Sequence, residues 1–201
     1  MFNERLENFS RERLGGRPIP DDLRTLLIAQ WEKRQAFYEQ FGIMFLEPGE
    51  NDPLLEQSYR DERAPAAPTT ASGVADRQMA QYLKVVAKHE DGACYGYWVH
   101  PDEPTDQPPR IVHRDSEGSF VLMGGKTFTE AIVEDYFSVP EQEFAEVSEY
   151  FSAEVAELLV ELGIPVPTSS TADLDWPETL HDPDDIYAEL YDAELERRGL
   201  K

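Results

Sequence analysis

The sequence lacks basic residues over a long stretch: no lysine or arginine lies between Lys126 and Arg197, although those 70 residues carry 20 carboxylates. The net charge is −23, and residues 141–201 alone account for −14 of it. Because phosphate contacts need clustered lysine and arginine, this composition argues against nucleic acid and anionic membrane surfaces as direct ligands. An acidic block repels itself and attracts cations, so it indicates a basic protein partner. A salt-adapted proteome or an ordinary solvated helix face would also explain it.

Cysteine and long apolar runs are also scarce. Cys94 is the only cysteine, which excludes an intramolecular disulfide framework and agrees with a reducing compartment. We expect Cys94 to be a small buried residue on a strand, because no acid–base partner is evident near it. The first 14 residues are charged and contain no apolar signal-peptide core, and no apolar run approaches the length of a membrane span. We therefore expect a cytoplasmic protein.

Recognisable catalytic motifs are missing as well. The chain contains no glycine-rich phosphate loop, dinucleotide-binding fingerprint, nucleophile elbow or paired-histidine helix motif. His89, His100 and His113 could lie on neighbouring strand ends, which makes a metal site conceivable, but no further ligand has the spacing of a zinc site. Solvation at turns and strand edges explains these histidines, and His181, more simply. We predict no catalytic residues, no metal and no cofactor.

Apolar periodicity and breakers divide the chain into segments. Residues 1–14 have the spacing of a short amphipathic helix that ends at Gly15, and a longer helix is predicted from Asp21 to Gly42. Residues 62–73 are rich in proline, alanine and threonine without periodicity, which predicts a loop or linker.

The middle of the chain reads as strands. Apolar runs at residues 82–88, 93–100, 110–113 and 119–123 are separated by turn signals such as Asp91-Gly92, which predicts an antiparallel meander. Thr127 and Glu130 have the capping-box spacing of a helix start. A glutamate-rich helix follows from Ser138, and an acidic helix is predicted over Asp182–Arg198.

The predicted class is therefore α+β: an antiparallel β-meander of about four or more strands flanked by N-terminal and C-terminal helices. We divide the chain into a helical segment at 1–60, a linker or loop at 61–78, an α+β core at 79–163 and an acidic extension at 164–201. All four segments are expected to belong to one domain.

The second predicted strand carries an aromatic cluster. Tyr95 and Tyr97 alternate with Cys94, Gly96 and Trp98, so the two tyrosines share one face of the strand. If helices cover the other face, Tyr95 and Tyr97 are surface anchors for a partner, as aromatic rings beside charges often are at interfaces. If helices cover both faces, the cluster is core.

Residues Gln81 to Tyr136, most of the 79–163 core, resemble the SUKH superfamily of fungal cell-wall-assembly regulators and bacterial toxin-immunity proteins. The resembling features are Glu90-Asp91-Gly92, Tyr97-Trp98, Ile111-Val112, Ser116-Glu117-Gly118, Thr127-Phe128-Thr129-Glu130 and, upstream, Ile19-Pro20-Asp21-Asp22-Leu23. The linker and the acidic extension lie outside the resemblance. It implies an α+β domain without enzymatic activity, whose bacterial relatives bind and neutralise toxins that are frequently nucleases or nucleic-acid deaminases.

These observations lead to one functional hypothesis. The chain is expected to be a cytosolic immunity protein that covers a basic toxin domain, using acidic residues for attraction and aromatic residues for anchoring. The predicted partner-binding residues are Tyr95, Tyr97, Glu134, Asp135, Glu149, Asp182, Asp184 and Asp185. The alternatives are a SUKH-like regulatory scaffold for a non-toxin protein and a small hydrolase or metal-dependent enzyme.

Overall fold

The structure is a computed structural model that describes residues 2–56, 68–105, 107–137, 157, 159–161, 163 and 178–201. The helices are α1 (Asn3–Arg13), α2 (Asp21–Glu32), α3 (Arg34–Phe41), α4 (Pro53–Glu56), α5 (Pro68–Met79), α6 (Phe128–Phe137) and α7 (Pro183–Arg197). The strands are β1 (Met44–Phe45), β2 (Leu83–Lys88), β3 (Cys94–Trp98), β4 (Ile111–Arg114) and β5 (Phe120–Leu122). The α+β prediction is confirmed. None of the helices in these ranges is both long enough and apolar enough to cross a membrane.

The strands form one five-stranded sheet that follows chain order, β1-β2-β3-β4-β5. The β2–β3, β3–β4 and β4–β5 pairs are antiparallel, so the predicted meander is confirmed, and β1 is an additional strand that the sequence analysis did not predict. The Asp91-Gly92 turn closes the first hairpin, where the His89 amide donates to the Ala93 carbonyl at 2.8 Å.

Gly96 is required by the close approach of β2 to β3. A Cβ atom at this position would lie 2.7 Å from the Lys84 carbonyl oxygen and 2.8 Å from Leu83 Cδ1. Real Cβ atoms do not come this close, so no larger residue fits unless the backbone of β2 moves. The register of β2 against β3 also shifts between Val85 and Ala87, a β-bulge in the same pair of strands.

The chain divides into two compact units. The helical unit comprises Met1–Phe45 and Met123–Glu178, and the sheet unit comprises Leu46–Leu122 and Thr179–Lys201. This division does not follow the segments predicted from the sequence. The C-terminal helix α7, assigned to an acidic extension, belongs to the same unit as strands β2 to β5.

The helical unit is built on aromatic packing. The rings of Phe37 and Phe45 lie 5.7 Å apart, those of Phe45 and Phe128 5.2 Å apart, and all three side chains are buried. The predicted helix from Asp21 to Gly42 is interrupted at Lys33, whose backbone (φ −135°, ψ 49°) is not helical. Its end at Gly42, which has a left-handed conformation, is as predicted.

The start of α6 is held by two carboxylates in the helical unit. Glu130 Oε2 accepts from the Thr127 amide at 2.9 Å and the Glu130 amide donates to Thr127 Oγ1 at 3.2 Å, so the predicted capping box is confirmed. Asp22 Oδ2, from α2, accepts from the Phe128 amide at 2.8 Å and the Thr129 amide at 3.3 Å. These bonds satisfy amides that a helix N-terminus leaves without partners.

The linker predicted over 61–78 is wrong for its second part, because residues 68–78 lie in α5; residues 61–67 lie outside the described residues. Pro68 occupies the first position of the helix, where its missing amide costs nothing. Ala71, Ala75 and Met79 are fully buried at a spacing of four residues. The helical periodicity is present, but mostly in small residues that contribute little to a hydrophobic pattern.

The core of the sheet unit lies on one face of the sheet. Met79, Leu83, Cys94, Trp98 and Phe120 are among its buried members, and α7 packs against them through Ile186, Tyr187 and Leu190. Beside this core, Asp76 of α5 is fully buried and its Oδ1 accepts from Arg114 Nε of β4 at 3.3 Å. A buried carboxylate requires such a compensating cation.

Candidate functional site

Tyr95 and Tyr97 are not surface anchors. Their exposed fractions are 1% and 5%, and the Tyr95 ring stacks on His113 with ring centroids 4.5 Å apart. The prediction that they bind a partner is therefore wrong. Strand β3 is buried along its whole length, Trp98 included, because it lies in the middle of the sheet and both of its faces are covered.

Cys94 is a buried strand residue, as predicted. Burial raises the pKa of its thiol to about 12, although the nearby Arg114 guanidinium opposes this. Thiolate is the reactive form of cysteine, and this environment suppresses it. Cys94 is part of the core.

Three predicted partner-binding residues cannot be placed. The side chains of Glu134 and Asp135, in α6, and the whole of Glu149 lie outside the described residues. The same holds for nearly all of the predicted helix that starts at Ser138.

Asp182 and Asp184 have structural roles at the start of α7. The Asp182 side chain is the N-cap of α7 and accepts from the Asp184 amide at 2.8 Å and, more weakly, from the Asp185 amide at 3.5 Å. Asp184 Oδ1 accepts from the Phe120 amide of β5 at 3.0 Å. These bonds define the start of α7 and attach it to β5. The fold thus accounts for two acidic residues that the sequence analysis assigned to a partner.

Helix α7 has two faces of different chemistry. Its inner face packs on the core of the sheet unit, and the Tyr187 hydroxyl forms a 2.6 Å hydrogen bond with Ser72 Oγ of α5. The opposite face is defined by side chains at spacings of four, three and four residues, which fall on one stripe of a helix. This stripe, here called the α7 acidic face, consists of Asp185, Glu189, Asp192 and Glu196.

The positive charges near the end of α7 leave most of this face uncompensated. Arg197 and Arg198 both pair with Glu194, at 2.6 Å, and this lowers the pKa of the Glu194 carboxyl to about 2. Lys201 pairs with Asp192. These three are the only lysine and arginine residues after Lys126.

Among the described residues, no cation pairs with Asp185, Glu189 or Glu196, and all three are exposed. Exposed carboxylates that are not paired with a cation attract cationic groups at a distance. Within the described residues, we therefore take the α7 acidic face as the candidate docking surface.

A second candidate site lies where β3 leaves the sheet and α7 begins. His100, Asp102 and His181 each offer one ligand atom, and these atoms lie within 4.8 Å of one another. His181 Nε2 is 3.2 Å from Asp102 Oδ2, and His100 Nδ1 is 3.9 Å from the same oxygen. Within the part of the chain that the structure describes, this is the one cluster with the composition of a metal site.

This grouping of histidines differs from the one that the sequence suggests, in which His89, His100 and His113 could lie on neighbouring strand ends. His89 and His113 do lie together beside Tyr95 at the start of β3, with ring centroids 6.4 Å apart. His100 lies beyond the other end of that strand. The partner of His100 is His181, with ring centroids 4.2 Å apart. These two residues are 81 positions apart, and no local motif connects them.

Comparisons with models of protein families, with curated proteins and with solved structures find no match to this chain. The resemblance of Gln81–Tyr136 to the SUKH superfamily therefore stays a prediction that depends on the motifs of the sequence.

Proposed function

We propose that this chain is a cytosolic, non-enzymatic binding protein whose α7 acidic face docks on a basic protein, and that its partner is a toxin that it neutralises. The observation that carries the proposal is the stripe of exposed carboxylates on α7, of which Asp185, Glu189 and Glu196 pair with no cation among the described residues. The resemblance to SUKH immunity proteins supplies the kind of partner.

The mechanism follows from charge. Long-range attraction between an acidic face and a basic surface accelerates encounter, and like-charged proteins are repelled. A toxin that acts on nucleic acid has a basic surface for its polyanionic substrate. An acidic helix that occupies this surface competes with the substrate directly, so neutralisation requires no catalytic residue in the inhibitor.

The test compares two variants with the same net charge. In the first, Asp185→Asn, Glu189→Gln and Glu196→Gln neutralise the α7 acidic face. In the matched control, Glu4→Gln, Glu7→Gln and Glu90→Gln remove three exposed charges elsewhere. The binding partner offered to each variant is the protein encoded by the gene next to its own, in a pull-down and in association kinetics at low salt.

We expect the first variant to associate at least about tenfold more slowly than the control variant, and to rescue cells that express the neighbouring protein less well. Equal association of both variants would reject the α7 acidic face as the docking surface. No binding and no rescue by the unmodified chain would reject the immunity function. Binding to a neighbour that is harmless to cells would replace it with the regulatory-scaffold alternative.

A further inference from the structure

The cluster of His100, Asp102 and His181 has the donors of a transition-metal site. Imidazole nitrogen and carboxylate oxygen are ligands of zinc-class divalent ions, and two histidines with one carboxylate form a recurrent three-ligand set. Such a set leaves one coordination position for water. Asp102 is 68% exposed, so the cluster is open to solvent on that side.

The distances suit one ion shared by three ligands. Tetrahedral coordination with bonds of about 2.0–2.1 Å places neighbouring ligand atoms about 3.3 Å apart. The separation of His181 Nε2 from Asp102 Oδ2 is 3.2 Å, and that of His100 Nδ1 from the same oxygen is 3.9 Å. The second distance has to shorten by about half an ångström, a movement that the exposed Asp102 side chain can supply. The two imidazole nitrogens lie within 4.8 Å of each other, so binding also requires the partly exposed His181 ring to adjust.

The His100 ring is held in place by its surroundings. Its side chain is 11% exposed, it lies 4.7 Å from the Tyr82 ring, and it stacks on Trp98 with ring planes 19° apart. The Asp102 amide donates to His100 Nδ1 at 3.4 Å, a long hydrogen bond that occupies the lone pair of this nitrogen and has to break when a metal ion binds there. The ligand atom therefore faces the loop that contains Asp102.

The His181 backbone is fixed by Glu103. Glu103 Oε1 accepts from the Leu180 amide at 2.9 Å and from the His181 amide at 3.1 Å. This carboxylate binds the segment before α7 to the loop after β3, so two distant parts of the chain present their ligands together. Supporting bonds of this kind orient the ligands at known metal sites.

A hydrogen bond alone accounts for only part of the arrangement. It explains the contact of His181 with Asp102, but it does not account for the His100 ring, whose centroid lies only 4.2 Å from that of His181. An ion bound to all three residues uses both imidazoles and the carboxylate. We propose that His100, Asp102 and His181 bind one divalent ion of the zinc class, independently of the α7 acidic face.

The experiment titrates untagged, chelator-treated full-length protein with Zn²⁺ in competition with a chromophoric chelator, at physiological ionic strength. Cobalt is then added in place of zinc, because Co²⁺ in a tetrahedral site has an intense visible spectrum. The test variants are His181→Gln and Asp102→Asn, both at positions that are at least partly exposed. The control variants are His89→Gln, which removes an imidazole elsewhere, and Asp185→Asn, which removes an exposed charge at the start of the same helix.

We expect the wild-type chain and both controls to bind one zinc ion per chain, with a higher thermal unfolding temperature when zinc is present. Each test variant should bind zinc at least about tenfold more weakly and lose the tetrahedral cobalt spectrum, since even outer residues of metal sites contribute this much. Thermal unfolding without metal shows that each variant is folded. The absence of stoichiometric zinc binding by the wild type, or equal affinity in all four variants, would overturn the proposal.

Discussion

The sheet unit holds carboxylates in two opposite settings. Asp76 is fully buried beside Arg114, whereas Asp185, Glu189 and Glu196 are exposed on α7 and pair with no cation among the described residues. Removing a charge from water costs several kcal/mol unless a partner compensates, so the buried carboxylate must be paired and the exposed ones need not be. The difference separates two tasks. Paired acids hold the unit together, and unpaired acids are available to something outside it.

Breaking the buried pair should have the largest effect. Arg114→Met removes the cation and leaves the Asp76 carboxylate buried without this ion pair, so we expect the free energy of unfolding to fall by about 3–5 kcal/mol. Arg114 also donates to the Asp115 carbonyl at 3.2 Å, which adds to the loss. Denaturant unfolding followed by circular dichroism measures the change.

A double variant is the control for this prediction. Asp76→Asn together with Arg114→Met removes both charges, so it should recover a large part of the stability that the single variant loses. If the single variant unfolds at the same denaturant concentration as the wild type, the ion pair does not support the sheet unit.

Glu194 lies between the two settings and should have an intermediate effect. It is buried and pairs with Arg197, which is 68% exposed, and with Arg198, which is 10% exposed. Hydrogen bonds to charged groups contribute about 1.5–3 kcal/mol when buried and less when exposed. We therefore expect Glu194→Gln to lower the free energy of unfolding by about 1–2 kcal/mol at neutral pH.

The pH dependence of this difference gives a sharper test. The two arginines lower the pKa of Glu194 from 4.5 to about 2, so the folded state favours the carboxylate. The stabilisation is complete above about pH 4.5 and is lost as the pH falls towards 2. Unfolding of the wild type and Glu194→Gln should therefore converge in this acid range. A difference that persists unchanged to pH 2 would show that ionisation of Glu194 is not its source.

The features of the fold that the sequence predicts are those set by neighbouring residues, and those set by tertiary packing are missed. Local signals gave strands β2 to β5, the turn at Asp91-Gly92 and the capping box of Thr127 and Glu130, because each depends on neighbouring residues. Helix α5 was missed because four of its five described buried positions are small or polar, namely Ala71, Gly73, Ala75 and Asp76, and proline and threonine precede them. Burial of Tyr95 and Tyr97 was also missed, since alternation along a strand does not reveal whether its second face is covered.

The candidate sites were predictable in different degrees. The acidity of the last third is a compositional property, and the helical spacing of Asp185, Glu189, Asp192 and Glu196 was present in the sequence. The roles of Asp182 and Asp184 in the fold were not, because they depend on bonds to particular amides. The contact between His100 and His181 could not be predicted from the sequence, since it forms only when the loop after β3 meets the start of α7. Within the cluster, only His100 and Asp102 are close enough in sequence for their spacing to indicate a shared site.

Neutralising the α7 acidic face should have the smallest effect on stability, and with the opposite sign. Like charges three or four residues apart on a helix destabilise it by about 0.2–0.5 kcal/mol per pair. The variant Asp185→Asn, Glu189→Gln, Glu196→Gln should therefore gain about 0.5 kcal/mol in low salt, after the loss of a favourable acid in the first turn is subtracted.

Salt should cancel this gain in the free energy of unfolding, because ions screen the repulsion between exposed charges. Denaturant unfolding of both proteins at low salt and at 1 M salt measures the change. If these charges serve to bind a partner, the neutralised variant should associate with that partner more slowly while its free energy of unfolding barely changes. If the wild-type chain instead gains several kcal/mol in high salt, on the order of its whole stability, and binds its partner equally well without these charges, the acidity is an adaptation to a salt-rich environment. Stability and association rate, measured on one pair of proteins, thus decide between a docking face and an ordinary solvated one.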